Sequence, residues 1–264
     1  MHSLHRTASI IVFACLMAMD SMVYAQPLDP IATGPTTLTL EYHTAPGDRL
    51  ALRQYMQSSG LRQLEKWKAE RIVDHYQLLF NRYADSNNWD MMLMVTFPSH
   101  AEVSRWKEIE ANMPAGLAPK ILKLVKAVHT NPADLFFKSA GFDKAPASRD
   151  SVFLVLPYDY TVSTAEYLKY SQGYIVPQFD GWLAEGVLAS YGIYLARFGV
   201  DRHWSALIVL EYRDNAAIGL REKTIAKVRA KLRENPEWKA ISDNKQNVRV
   251  GRAYVMADPL IAKK

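Results

Sequence analysis

From Thr37 to Tyr42 the chain alternates, with Leu38, Leu40 and Tyr42 on one side, which is the period of a half-buried strand. Over Gly47 to Glu70 the period becomes helical and puts Leu52, Tyr55, Met56, Ser59, Gln63 and Trp67 on one stripe. His75 to Tyr83 and Trp89 to Phe97 read as two strands joined by Ala84-Asp85-Ser86-Asn87-Asn88, a hairpin signal. Helices follow over His100 to Ala111, capped by Ser99, and over Ala118 to His129, and a strand near Leu135 to Lys138 ends the series. The same order then returns as a strand over Ser151 to Pro157, a helix over Ser163 to Glu185 and a hairpin of Ser190 to Phe198 with Trp204 to Tyr212. A helix carrying Ile218, Ile225, Val228 and Leu232, a short helix from Asn235-Pro236 and a last strand over Arg252 to Met256 complete it. Pro177 predicts a kink or break in the second long helix.

The recurrence is in the residues as well as the pattern. Sliding the chain by 115 positions aligns Leu52–Ser99 with Tyr167–Asp214 without a gap, with nine identities in 48 positions where roughly three are expected by chance. They include Tyr55/Tyr170, Trp67/Trp182, Glu70/Glu185, Tyr76/Tyr191, Arg82/Arg197 and Trp89/Trp204, and the flanking pairs Leu38/Phe153 and Leu40/Val155 agree in type. The chain is a duplicated module. Each copy reads βαββαβ, the split βαβ arrangement of ferredoxin-like α+β domains. Val152 to Leu156 and Ala206 to Leu210 are apolar at nearly every position, so both sheet faces should be covered, one by helices and one by the other copy's sheet. The expected division is a signal peptide over 1–25, a first repeat over 26–139, a linker over 140–150 and a second repeat over 151–264.

The N-terminus bears on compartment. His2, His5 and Arg6 precede the apolar run Ala8 to Met19, and Val23-Tyr24-Ala25 offers small residues for cleavage. This predicts a protein of the bacterial periplasm or the medium. The single cysteine, Cys15, falls inside that segment, where Val12-Phe13-Ala14-Cys15 offers an alternative lipoprotein cleavage site. A mature chain without cysteine has neither disulfides nor a thiolate metal site. The net charge of +5 is spread along the chain, unlike the concentrated stripe of a nucleic-acid binder.

Element order, together with Trp67-Lys68-Ala69-Glu70 and Trp182-Leu183-Ala184-Glu185-Gly186, resembles the dimeric α+β barrel superfamily. That superfamily includes antibiotic-biosynthesis-type and haem-degrading monooxygenases, muconolactone isomerases, and EthD- and NIPSNAP-like proteins. The resemblance implies that the tandem copies stand in for the two subunits of the usual homodimer, giving a monomer. The haem-degrading branch uses an Asn, Trp and His constellation, whereas His43, His75, His100, His129 and His203 occupy no repeated position here. No cofactor or metal is therefore expected.

The candidate ligand-binding set is the repeated one: Tyr55, Trp67, Glu70, Tyr76 and Arg82, with Tyr170, Trp182, Glu185, Tyr191 and Arg197. Glu70 and Glu185 end their helices, where the macrodipole disfavours an anion, so Arg82 and Arg197 are expected to compensate them. The aromatics are expected to line cavities between sheet and helices that hold a small, largely apolar or aromatic molecule. The alternatives are a cofactor-independent monooxygenase or isomerase using Glu185, His75 or Tyr191 as acid or base, and an interaction protein whose basic helix face, Arg221, Lys223, Lys227 and Arg229, meets an acidic partner.

Overall fold

A computed structural model describes residues 34–142, 147–198 and 203–261. The expected signal peptide with Cys15, and residues 143–146 of the expected linker, lie outside the described residues. The first copy runs β1 (Thr36–Thr44), α1 (Arg49–Tyr55), a π turn (Met56–Gly60), α2 (Leu61–Ala69), β2 (His75–Asn81), β3 (Met91–Phe97), α3 (Arg105–Asn112), α4 (Pro119–Leu122) and β4 (Val125–Lys138). The second runs β5 (Val152–Tyr160), α5 (Thr164–Tyr170), a π turn (Ser171–Ile175), α6 (Val176–Ala184), β6 (Leu188–Ala196), β7 (Ala206–Tyr212), α7 (Asn215–Gly219), α8 (Arg221–Leu232), α9 (Pro236–Asn244), β8 (Arg249–Gly251) and β9 (Val255–Pro259).

Three expectations change. The helix expected over Ala118 to His129 is one turn, because Val125 to Ala133 is recruited as a strand against β1, where pairing outweighs local period. The last strand is two pieces, β8 and β9, broken at Arg252 to Tyr254. Pro177 does not break its helix; it sits just after a π turn that recurs at the equivalent place in the first copy, where Arg62 stands instead. Proline therefore fits an existing bulge, since the widened turn does not need its missing N–H.

The strands close an antiparallel barrel in the order β7-β6-β4-β1-β3-β2-β9-β5, with β5 returning to β7 and β8 continuing along β5. Closure is by exchange: the last strand of each copy pairs with the other copy, β4 with β6 and β9 with β2. Each exchange carries the same latch. Arg197 bonds Asp134 at 2.7 Å and Arg82 bonds Asp258 at 2.5 Å, while the Arg197 and Arg82 backbone N–H groups donate to Pro132 and Met256.

Inside the barrel lies a core of Leu79, Met92, Met94, Phe153, Val155, Leu207 and Val209, closed toward one end by Trp89 and Trp204. Outside, two further cores fill the helix layers, one around Trp67 and Trp106 and one around Trp182, Phe179 and Tyr174. Thr37 pairs with Thr96 and Phe153 with Glu211, so Thr37 matches Phe153 rather than Leu38 doing so. The ungapped alignment thus slips by one residue at β1/β5, which exchanges the two faces of the strand.

At the helix ends the copies use different residues for one backbone requirement. Arg71 and Gly186, equivalent positions after α2 and α6, both have positive φ, 56° and 74°. Only glycine adopts this without Cβ strain. Arg71→Gly is expected to stabilise the fold by about 1 kcal/mol, read by urea denaturation. In a double-mutant cycle, Arg197→Met and Asp134→Leu should couple by about 1–2 kcal/mol, whereas Arg197→Met and Glu185→Gln should add.

Candidate functional site

The repeated aromatics are packed rather than presented. Trp67, Trp182, Tyr170 and Tyr191 are each at most 5% exposed, and Tyr55 is half-buried against the first helix-layer core. The expected Glu–Arg pairs do not form. Glu70 meets Lys66 at 3.7 Å and Glu185 meets Lys227 at 2.6 Å, while both arginines serve the strand latches. The reason is direction: each helix ends near the start of the following strand, and the arginine follows seven residues after the start of β2 and nine after the start of β6, about 20 Å or more away along an extended chain. Arg229 of the basic helix donates to Gln178, and Arg221 pairs with Glu222.

What the two copies do share is a tyrosine–carboxylate bond made five residues earlier on the helix. Tyr76 donates to Glu65 at 2.5 Å and Tyr191 to Asp180 at 2.8 Å. Residues 65 and 180 agree in charge but not identity, so a search for identities passes over them; a search by charge type would find them. Burial, and then the neighbouring carboxylate, push both phenols well above the usual tyrosine range.

The copies differ around this bond. In the second, β4 runs on to Lys138 opposite Gly192, Ser139 bonds Tyr191 through both backbone and side chain, and Tyr191 is 3% exposed. In the first, the described ladder of β9 on β2 ends at Pro259 opposite Leu79, with one further bond from the Leu260 N–H to the Leu78 carbonyl. Tyr76 is half-buried, and beside it opens a cavity of about 750 Å³ between α2, β2 and the segment Pro259 to Ile261. Leu61, Leu78, Leu260 and Phe142 supply apolar wall, Tyr76, Glu65, His75 and Gln77 supply polar groups, and Arg62, Lys66 and Lys68 stand along α2. Of the predicted ligand-binding set, only Tyr76 lines it, joined by His75 from the acid–base alternative. Among the described residues no three His, Cys, Asp or Glu side chains are gathered for a metal ion.

No family model matches the sequence, and no curated protein matches it. Solved structures share the fold. A putative monooxygenase from Lactobacillus acidophilus superposes with a TM-score of 0.51 at 12% identity, over 86% of this chain and 94% of that one. A putative monooxygenase from Fusobacterium nucleatum gives 0.53 at 10%, over 86% and 93%. A putative chlorite dismutase gives 0.50 at 10%, over 86% and 95%. The chain has the dimeric α+β barrel fold, built from a tandem pair of ferredoxin-like halves.

Tyr191→Phe is expected to cost about 1 kcal/mol in stability, and Tyr76→Phe clearly less, because its bond to Glu65 is exposed to water. Urea denaturation of both variants checks this.

Proposed function

We propose that this protein is exported and binds a small, largely apolar or aromatic molecule in the lateral cavity of its first copy. The observation that carries the reading is the cavity itself: mostly apolar, about 750 Å³, with Tyr76 and Glu65 at one side and three basic residues along α2. That volume suits a drug-sized ligand held by apolar walls and oriented by a few polar groups. The basic residues favour a ligand whose apolar body ends in an acidic group. Export rests on the N-terminal pattern from Met1 to Ala25.

The state of Tyr76 favours binding over cofactor-independent catalysis by that phenol. A phenol whose proton is held by burial and by Glu65 is a poor acid at neutral pH, and it has no proton vacancy with which to act as a base.

Native mass spectrometry of the mature protein, made in a bacterium with its N-terminal segment intact, tests both halves. The polypeptide should begin near Gln26 and carry excess mass that disappears on denaturation. The apolar anion 1-anilinonaphthalene-8-sulfonate should bind with enhanced fluorescence, and Ala69→Trp, which places bulk at the cavity wall on an exposed helix end, should weaken it about tenfold or more. A probe indifferent to Ala69→Trp would remove the lateral cavity as the site.

A further inference from the structure

The mouth of the barrel holds a second cavity, of about 510 Å³, lined by residues of both copies. It straddles the pseudo-twofold axis, so equivalent positions face each other across it, and they have diverged. Glu41 opposes Pro157, His129 opposes Ala253, and His203 opposes Asn88, while Trp89 and Trp204 are retained on both sides. A homodimer would repeat each titratable residue twice; duplication has let this chain keep one of each.

The local geometry follows from register. Glu41 stands opposite His129 on β4 and Met92 on β3, and His43 follows two residues on, so Glu41 and His43 share the inward face of β1. The three imidazoles form a chain, with ring centroids 5.1 Å apart for His43 and His129 and 3.8 Å for His129 and His203. Glu41 is buried, and its protein hydrogen bond comes from Trp204 Nε1 at 3.0 Å. His43 bonds the Asn88 backbone, which leaves its Nε2 buried without a protein partner. Arg252, the arginine among the described residues lining this mouth, is committed to Asp159 at 2.6 Å.

The unused polar capacity is therefore that of acceptors. With Nδ1 on the Asn88 backbone, His43 presents the lone pair of Nε2, and one oxygen of Glu41 remains after Trp204. Between them lie apolar surfaces of Trp89, Trp204, Val155 and Leu207. We propose that this mouth is a single-copy binding site for a small uncharged aromatic molecule carrying an O–H or N–H donor, which it gives to His43 Nε2 and Glu41 while its ring lies against the tryptophans. Among the described residues an anion would meet a carboxyl group and no uncommitted cation; a ring without a donor would leave His43 unsatisfied.

Protonation adds a signature. Burial lifts the Glu41 carboxyl from 4.5 to about 7, opposed by the Trp204 bond and by Arg252, and burial with imidazole neighbours lowers His43 and His203. Ionised Glu41 is the better acceptor, so donor ligands should bind more tightly as pH rises through about 7. Stability carries the opposite sign for Glu41. Its folded pKa is raised, so its contribution is full below 4.5 and declines as pH rises to about 7, a decline that Glu41→Gln should remove.

Isothermal titration of the mature chain with phenol, anisole and benzoate at about pH 6 and about pH 8 decides the matter. Phenol should bind in the millimolar range or better, anisole about tenfold more weakly, and benzoate least. Phenol affinity should rise with pH in the native chain and stay flat in Glu41→Gln. His43→Phe should abolish the preference for phenol over anisole, and phenol should shift the His43 Nε2 resonance in nitrogen NMR. Ala69→Trp should leave phenol binding unchanged, which separates this site from the lateral cavity. Equal binding of anisole, tighter binding of benzoate, absence of phenol binding, or its loss in Ala69→Trp would each overturn the proposal.

Discussion

The architecture depends on the exchange of terminal strands between the copies. An antiparallel sheet of one copy alone would leave two edges with unpaired backbone groups. Here β4 leaves the first copy to pair with β6, and β9 leaves the second to pair with β2, so every edge that closes the barrel is supplied by the partner copy. Arg197 with Asp134 and Arg82 with Asp258 fasten these crossings at equivalent points. The repeated arginines are accordingly parts of the closure, and the methionines of β3 find their places through it: Met91 faces the helix layer, while Met92 and Met94 fill the barrel.

Once closure is secured by strand exchange, the helix layers need only be filled. Repeated Trp67 and Trp182 do this from the same helical position, and the π turns at Met56–Gly60 and Ser171–Ile175 keep the two halves of each long helix in register with the sheet beneath. Recurrence of a π turn at one place in both copies, with proline near only one, marks it as a property of the fold rather than of a local breaker.

Duplication within one chain also releases the copies from identity. In the second copy the longer β4 ladder covers Tyr191, whereas in the first the described β9 ladder stops short and Tyr76 borders a cavity. On the pseudo-twofold axis Glu41, His129 and His203 are matched by Pro157, Ala253 and Asn88 at the equivalent positions. Both cavities are asymmetric features of a symmetric frame.

Fold class, the duplication and the order of the long elements were legible in the sequence, because strand alternation, helical stripes and Trp67/Trp182 are local patterns that burial imposes wherever the element docks. Residues such as Val125 to Ala133, whose pairing with β1 overrides a helical period, were not, and neither was the one-residue slip that makes Thr37 the partner of Phe153. The candidate site was legible only through Tyr76 and its neighbour His75. Glu65 was hidden by its replacement with Asp180, and the mouth was hidden because Glu41, His129 and Trp204 come together across 163 residues of chain. The sequence by itself determined which segments are strand or helix and that they occur twice; tertiary structure alone decided which partners the repeated charges found and where space was left, since both follow from register and strand direction between segments distant in the chain.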